Sequence, residues 1–244
     1  MGIRTAAARG VTIAIAGATA CAALSGCTAV TGGDAVASTN RAPLQAPVYD
    51  AGTVEQMLLP TNQVNVVMGA AAMALHKTRT DMFRPDSGFA DATCMGPWYP
   101  AVSSTYASSG WTAVRSSEFT DVTGDSAGAD NHVVIEALIA MPSVPATTAF
   151  FKDAQRIWAG CANRDFTASG ANGRSWNWEF ADLQANQTTL TMLQTQEAGG
   201  GWACERTLRM SSNIVADTMA CGVDVSGKSS ALAAAMISNI PDNQ

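Results

Sequence analysis

Residues 222–229 have the spacing of a phosphate-binding P-loop, a motif that would give this chain nucleotide chemistry. They read Gly-Val-Asp-Val-Ser-Gly-Lys-Ser, after a strand pattern and before a helix pattern. A P-loop opens a parallel α/β sheet and needs further strands downstream to supply a magnesium-binding acid. Only 15 residues follow Ser229, and the preceding strand reads as half of an antiparallel hairpin. We therefore interpret the segment as the start of a helix, with Ser226 as its N-cap.

Residues 124–128, Gly-Asp-Ser-Ala-Gly, match the nucleophile elbow of serine hydrolases around Ser126. An elbow is followed directly by a helix, whereas the residues from His132 onward read as a strand. We therefore predict a polar hairpin loop here. An esterase-like envelope hydrolase that uses Ser126, Glu136 or Asp217 is kept as an alternative function. Glu136 lies in an apolar strand, where such a residue more often points to the open face.

The first 27 residues have the layout of an export signal that ends in a modified cysteine. Arg4 and Arg9 precede the apolar stretch 11–24, and Leu-Ser-Gly then stands before Cys27, which resembles the lipobox of bacterial lipoproteins. We predict that residues 1–26 are a signal peptide and that the Cys27 sulfur carries a diacylglycerol. An ordinary signal peptide with a chance cysteine is the alternative. Two or more acyl chains anchor a protein stably, so we expect it on the extracytoplasmic face of the cell membrane.

Residues 27–50 are predicted to be a flexible tether. Their composition is rich in Thr, Ala, Gly, Ser and Asn, with Pro43 and Pro47 near the end, and buries too little surface to fold. A chain of about 20 flexible residues has an r.m.s. span of about 25 Å. The folded domain is then residues 51–244.

Composition and charge restrict the possible partners. The chain of 244 residues is 47% hydrophobic, which is enough for one packed core and excludes wholesale disorder. The formal net charge is −6, with 14 basic and 20 acidic residues. Removing residues 1–26 takes away two arginines and leaves 12 against 20, a charge of −8. Nucleic acid is therefore not an expected partner.

Four cysteines remain in the predicted domain, an even number in an oxidising compartment. Two alternating strands flank residues 212–213, and a turn there places Cys204 opposite Cys221 at a non-hydrogen-bonded pair, where the Cα atoms approach closely. That pair suits a cross-strand disulfide. By elimination, Cys94 is predicted to bond Cys161.

The same hairpin places Arg206 and Asp217 on its core-facing side as diagonal neighbours. We expect them to pair as ions, because either one alone would be an uncompensated buried charge. No cysteine pair has C-x-x-C spacing, and His76 and His132 lie far apart in sequence, so neither a metal nor another cofactor is expected.

Trp176 and Trp178 are two residues apart in a strand pattern and share a face with Phe180. Core packing is their ordinary role, and a groove that holds an apolar or sugar-like ligand is the alternative. Together with Arg206 and Asp217, the two tryptophans form our candidate ligand cleft.

Hydrophobic periodicity predicts an α+β fold with an antiparallel sheet of about five to six strands, flanked by helices on one side. Helices are expected after Thr61, at 100–106, across 150–161 and near the C-terminus. The predicted strands are 111–119, 132–140, 176–183, 188–196 and the two arms of the 203–221 hairpin.

These features together resemble the PknH-like extracellular sensor domain of mycobacteria and relatives, over about residues 52–241. The motifs that carry the resemblance are 94–100 (Cys-Met-Gly-Pro-Trp-Tyr-Pro), Tyr106, 109–111 (Ser-Gly-Trp), Trp158, Cys161, 201–206 (Gly-Trp-Ala-Cys-Glu-Arg) and 220–222 (Ala-Cys-Gly). The resemblance implies an antiparallel sheet with flanking helices, two disulfides and a ligand-binding cleft. In founding members of the family the domain is the outer part of a transmembrane Ser/Thr kinase, whereas a lipobox stands here in place of kinase motifs and a spanning helix.

We therefore predict a lipid-anchored, non-catalytic sensor or binding module that meets an envelope ligand or a partner protein. The hydrolase is one alternative. A carrier of lipid or glycolipid is another, and it would require a continuous apolar cavity of several hundred cubic ångströms.

Overall fold

The structure, a computed structural model, describes residues 47–85, 91–122, 131–170 and 173–240. The predicted signal peptide, Cys27 and Ser126 lie outside these ranges. No helix in the described ranges is long and apolar enough to cross a membrane.

The described residues form one antiparallel sheet of nine strands. Its spatial order is β1-β2-β3-β9-β8-β7-β5-β4, and β6 pairs with β7. In chain order the strands are β1 (Ala74–Arg79), β2 (Ala113–Thr120), β3 (Val133–Ala140), β4 (Asp165–Ser169), β5 (Ser175–Phe180), β6 (Gln184–Ala185), β7 (Thr189–Gln196), β8 (Ala203–Ser211) and β9 (Ile214–Gly222).

In the described ranges six helices accompany the sheet, and the α+β class is confirmed. They are α1 (Ala51–Met57), α2 (Thr61–Met68), α3 (Met95–Trp98), α4 (Ser103–Tyr106), α5 (Val144–Cys161) and α6 (Lys228–Ser238), and a 3₁₀ turn (Ala92–Cys94) precedes α3.

The sheet is larger than predicted, because three strands were missed. The side chains of β1 are almost all exposed, β4 is short and largely polar, and β6 has only two residues. None of them shows the alternation of apolar and polar residues that marks a half-buried strand. Edge and near-edge strands of this kind contribute hydrogen bonds to the sheet but little to its apolar core.

Helices cover both faces of the sheet, and the prediction that they lie on one side was wrong. Alternate residues of β9 enter two separate cores: Val215 and Met219 pack on the side of α5, whereas Ile214 and Ala216 pack on the side of α1, α2 and α6. Every residue of β9 is consequently buried. A strand that is covered on both faces loses the alternating pattern that a one-sided sheet would impose.

The hairpin of β8 and β9 has the predicted register. Ser211 pairs with Ile214, and Cys204 lies opposite Cys221 with a Cα–Cα distance of 4.0 Å and a disulfide between the two sulfurs. The second predicted disulfide, Cys94–Cys161, is also present.

The segment that resembles a P-loop has an internal structural role. The N-cap of α6 is Gly227, with φ +81°, and not Ser226 as predicted. The buried Glu205 carboxylate accepts the backbone N–H groups of Gly227 and, at 3.0 Å, Ser230. A carboxylate therefore occupies the helix N-terminus at which a P-loop would hold phosphate. Lys228 donates instead to the carbonyl of Val67, at the end of α2, at 2.9 Å.

The N-terminal approach to α1 is attached to the tip of the β8–β9 hairpin. The side chain of Asn213, which is fully buried, accepts the Tyr49 N–H at 2.8 Å and donates to the Tyr49 carbonyl at 2.9 Å. The Ser212 hydroxyl donates to the carbonyl of Pro47. Residues 47–50, the last part of the predicted tether, are thus bound to the domain.

A row of polar side chains crosses the sheet beneath α1 and α6. Adjacent positions in five neighbouring strands carry them, in the order Ser117, Glu136, Thr218, Thr207 and Thr191. Thr218 bonds the Ser229 hydroxyl of α6 at 2.7 Å, and the carboxyl of Glu136 accepts from the chain just after α1. The row therefore joins both helices to the sheet through polar contacts.

Candidate functional site

A cleft of about 670 Å³ lies between helix α5 and the segment 92–109, which contains α3 and α4. This volume falls within the range of ordinary small-molecule sites, about 300–1,000 Å³. The residues that line it are Ala92, Thr93, Gly96, Ser104, Thr105, Ser108, Ser109, Ala146, Ala149, Phe150, Asp153, Ala154, Arg156, Ile157 and Trp158.

Local sequence signals build the α5 wall. Ser143 caps the helix by accepting the Ala146 N–H at 3.3 Å, and a proline lies in the first turn. Phe151, Ala154 and Trp158 follow at helical spacing and are buried against the sheet. The helix therefore has one face in the core, while the side chains beside that face border the cleft.

The opposite wall is a short, irregular segment that is fixed at its N-terminal end. Asp91 caps its first turn by accepting the Thr93 N–H at 3.0 Å and forms an ion pair with Arg164 at 2.8 Å. The Cys94–Cys161 disulfide then joins this segment to the last residue of α5. The bond connects the two walls at one end of the cleft.

A buried ion pair beneath the cleft forms further hydrogen bonds with this wall. Arg206 Nη2 lies 2.7 Å from Asp217 Oδ1, and the two side chains are 1% and 2% exposed. The Asp217 carboxylate also accepts the Ala101 N–H and the Tyr106 hydroxyl, each at 2.8 Å. Arg206 donates to the carbonyl of Gly96 at 2.9 Å. The predicted pairing is confirmed, and it fastens the segment 92–109 to the sheet.

The same pair also reaches the α5 wall. The Arg206 guanidinium lies 5.4 Å from the centre of the Trp158 ring, a cation–π contact. Tyr106 stacks on Phe150 of α5 with 4.6 Å between ring centres. Burial, followed by the neighbouring Asp217 carboxylate, raises the pKa of Tyr106 well above its usual value, so its hydroxyl stays protonated and donates.

The residues predicted to form a ligand cleft are separated by the structure. Arg206 and Asp217 are sealed below the cleft floor, so in this structure they support the walls from beneath. Trp178 is 8% exposed and packs edge-on against Trp98 at 5.0 Å, while the half-buried Trp176 lies beneath the Arg174 guanidinium. Neither tryptophan lines the α5 cleft; a ligand role for these four residues stays a prediction.

Trp178 instead borders a second hollow, of about 530 Å³, on β4, β5 and β7. Its other lining residues are mostly polar, among them Asp165, Glu179 and Glu197.

The sequence predicted no ligand role for the side chains that line the α5 cleft. Ser104, Thr105 and Ser108 belong to a run of small polar residues, and their pattern is that of any surface loop. The signal that was available is the predicted helix at 150–161, whose side chains at Phe150 and Ile157 border the cleft.

The two acidic residues named for the hydrolase alternative, Glu136 and Asp217, are not close to each other. Glu136 is fully buried on the α1 side of the sheet, where both of its oxygens lie near the Leu59 N–H, at 3.1 and 3.2 Å; it does not point to an open face as we expected. Asp217 lies on the opposite face. Burial raises the pKa of Glu136 to about 8, with the Leu59 hydrogen bond opposing the shift.

The profile of the PknH-like extracellular domain matches residues 49–239. The chain belongs to this family. The extracellular domain of PknH from Mycobacterium tuberculosis has a similar solved structure, with a TM-score of 0.74 and 27% identity; the match covers 80% of this chain and 97% of that one.

Full-length kinases with the same domain are also similar. The serine/threonine-protein kinases PknH of Mycobacterium tuberculosis and Mycobacterium bovis are each 28% identical to this chain over 184 residues, 75% of its length. The match covers only 29–30% of the kinases, so it concerns their extracellular part.

Proposed function

We propose that this protein is a lipid-anchored extracytoplasmic sensor whose α5 cleft binds an envelope ligand, either a small molecule or part of a partner protein. The observation that carries the proposal is that both cleft walls are fixed before any ligand arrives. The Cys94–Cys161 bond closes one end, and the Arg206–Asp217 pair holds the floor. A preformed site loses less conformational entropy on binding.

Family membership supports the location outside the cytoplasm, and the lipobox supports the anchor at Cys27. With acyl chains on Cys27, the chain would present its domain at the membrane surface.

Native mass spectrometry tests the binding role. Full-length protein is incubated separately with glycan, lipid and peptide fractions of a cell envelope, beside a variant with Ala149→Trp, which fills the cleft from α5. Ala159→Trp, at an exposed position of the same helix outside the cleft lining, is the matched control. We expect a bound species with the wild type and the control that is lost with Ala149→Trp. If no fraction gives a ligand-bound species with the wild-type protein, the proposal is rejected.

One pair of side chains favours a second candidate, the esterase-like hydrolase. His132 Nδ1 lies 2.9 Å from a carboxylate oxygen of Asp121, an arrangement that orients a general base. Hydrolysis of p-nitrophenyl acetate tests this candidate. Loss of the activity in Ser126→Ala, with the activity kept in the control Ser175→Ala, would support it. Equal rates in both variants and in the wild type would remove it.

A further inference from the structure

We infer that the α5 cleft binds a neutral saccharide, one that presents an apolar ring face to α5 and its hydroxyl groups to the segment 103–109. The inference rests on the proposed binding role of the cleft and names the chemical class of its ligand.

The segment 103–109 offers hydroxyl groups that make no side-chain hydrogen bond to the part of the chain that the structure describes. Ser104, Thr105 and Ser108 line the cleft, and among the described residues no side-chain hydrogen bond engages their hydroxyls. Ser109 differs, because its hydroxyl donates to the Tyr106 carbonyl at 2.9 Å. Each free hydroxyl can both donate and accept, which is the hydrogen-bonding capacity that a sugar hydroxyl requires of its partner.

The opposite wall is aromatic and aliphatic. Phe150 and Ile157 are half-buried beside the cleft, and Trp158 lies at its floor. The Phe150 ring is held in place because it stacks on Tyr106, which in turn is bonded to Asp217. A fixed aromatic face offers a large apolar contact area to the C–H side of a sugar ring.

Among the described residues, the charges that line the cleft cancel. They are one acid and one base, Asp153 and Arg156, which are neighbours on α5 with 3.8 Å between their charged atoms. Both side chains are 74% exposed. A phosphate or a polycation would therefore find no excess of opposite charge here, and a neutral ligand fits best.

A fatty acyl chain fits less well than a saccharide. It could pack on Phe150 and Ile157, but it would cover the hydroxyls of Ser104, Thr105 and Ser108 without bonding to them. Covering a polar group that has no partner costs free energy, so the hydroxyl wall disfavours such a ligand.

Isothermal titration calorimetry of full-length protein in phosphatidylcholine nanodiscs tests the inference. The probes are mannotriose, arabinotriose and maltotriose, with palmitate as the acyl competitor. We expect at least one trisaccharide to bind, and Ser104→Ala and Ser108→Ala each to weaken it about three- to tenfold, the effect of one hydrogen bond. Phe150→Leu should weaken it while the melting temperature stays near that of the wild type. Ser175→Ala, an exposed hydroxyl on β5 outside the cleft, should bind as the wild type does.

The inference is overturned if none of the three trisaccharides binds, or if binding is unchanged in the serine and phenylalanine variants. It is also overturned if palmitate binds in the cleft and the trisaccharides do not; the proposed sensor role then survives with a different ligand. The envelope-fraction experiment separates these cases, because only a cleft that accepts nothing from any fraction removes both proposals.

Discussion

At the scale of single residues, the ion pair of Arg206 and Asp217 has the largest structural consequence. Replacing Asp217 with Asn leaves the guanidinium buried without its counter-charge, so we expect a loss of about 3–5 kcal/mol in the free energy of unfolding. Urea denaturation measures it. Asp153→Asn breaks the exposed pair with Arg156 and should cost less than about 1 kcal/mol. Similar losses in the two variants would contradict the buried role of the Asp217 pair.

The carboxyl of Glu136 makes the stability of the domain depend on pH. Its pKa is raised to about 8 in the folded state, from a reference value of 4.5, because it is buried. Between these values the folded chain holds a proton that the unfolded chain has lost, so stability falls as pH rises through this window. The slope approaches about 1.4 kcal/mol per pH unit from this group.

Glu136→Gln removes the titrating group, and we expect it to flatten the fall in stability between about pH 5.5 and 7.5. Urea denaturation across this range measures the slope. Glu55→Gln, at an exposed acid on α1, should keep the wild-type slope. A Glu136→Gln variant with an unchanged slope would show that Glu136 is ionised in the folded protein.

At the scale of elements, the two disulfides differ in what they connect. Cys94–Cys161 closes a loop with a sequence separation of 67, whereas Cys204–Cys221 closes one of 17 inside a single hairpin. The loop-entropy relation gives a stabilisation of about 4 kcal/mol for the first and about 3 kcal/mol for the second. Thermal unfolding of the two double Cys→Ala variants measures the difference.

Only the first bond joins the walls of the cleft. We therefore expect Cys94→Ala with Cys161→Ala to abolish ligand binding at temperatures where the chain is still folded, and Cys204→Ala with Cys221→Ala to preserve it. Equal binding in both double variants would show that the cleft does not depend on the bond.

The elements that the sequence predicted well are those whose partners are close along the chain. The β8–β9 hairpin was predicted with its register, because one short turn fixes every opposed pair. The layer arrangement was missed, although the near-continuous apolar run of β3 is typical of a strand covered on both faces. Strand β1 could not be found in this way, since its side chains are exposed and only its backbone belongs to the sheet.

At the scale of the whole molecule, the family resemblance implied a cleft, but the position of the cleft could not be predicted because it forms between segments far apart in sequence. Its hydroxyl wall comes from 103–109 and its apolar wall from α5, and the ion pair beneath it comes from β8 and β9. The sequence predicted the pair and both disulfides. It did not indicate that they surround one opening, because that depends on how α5 crosses the sheet.

The predicted anchor makes the cellular location depend on one sulfur atom. We expect Cys27→Ser to move the protein from the membrane fraction to the soluble extracytoplasmic fraction, because no acyl chain can then be attached. Cys21→Ser, inside the predicted signal peptide, should leave the protein in the membrane fraction. Fractionation, with mass spectrometry of the N-terminal peptide, measures both. A membrane-bound Cys27→Ser protein from which residues 1–26 have been removed would refute the anchor.

The attachment of Tyr49 to Asn213 determines where mechanical load would enter the domain. Strands β8 and β9 lie in the middle of the sheet, and the Asn213 side chain at their turn holds the incoming chain by two hydrogen bonds. In a protein tethered through Cys27, drag from the surrounding cell wall would pull first on this turn. The most deeply embedded pair of strands, which also carries Arg206 and Asp217 beneath the α5 cleft, would bear that tension.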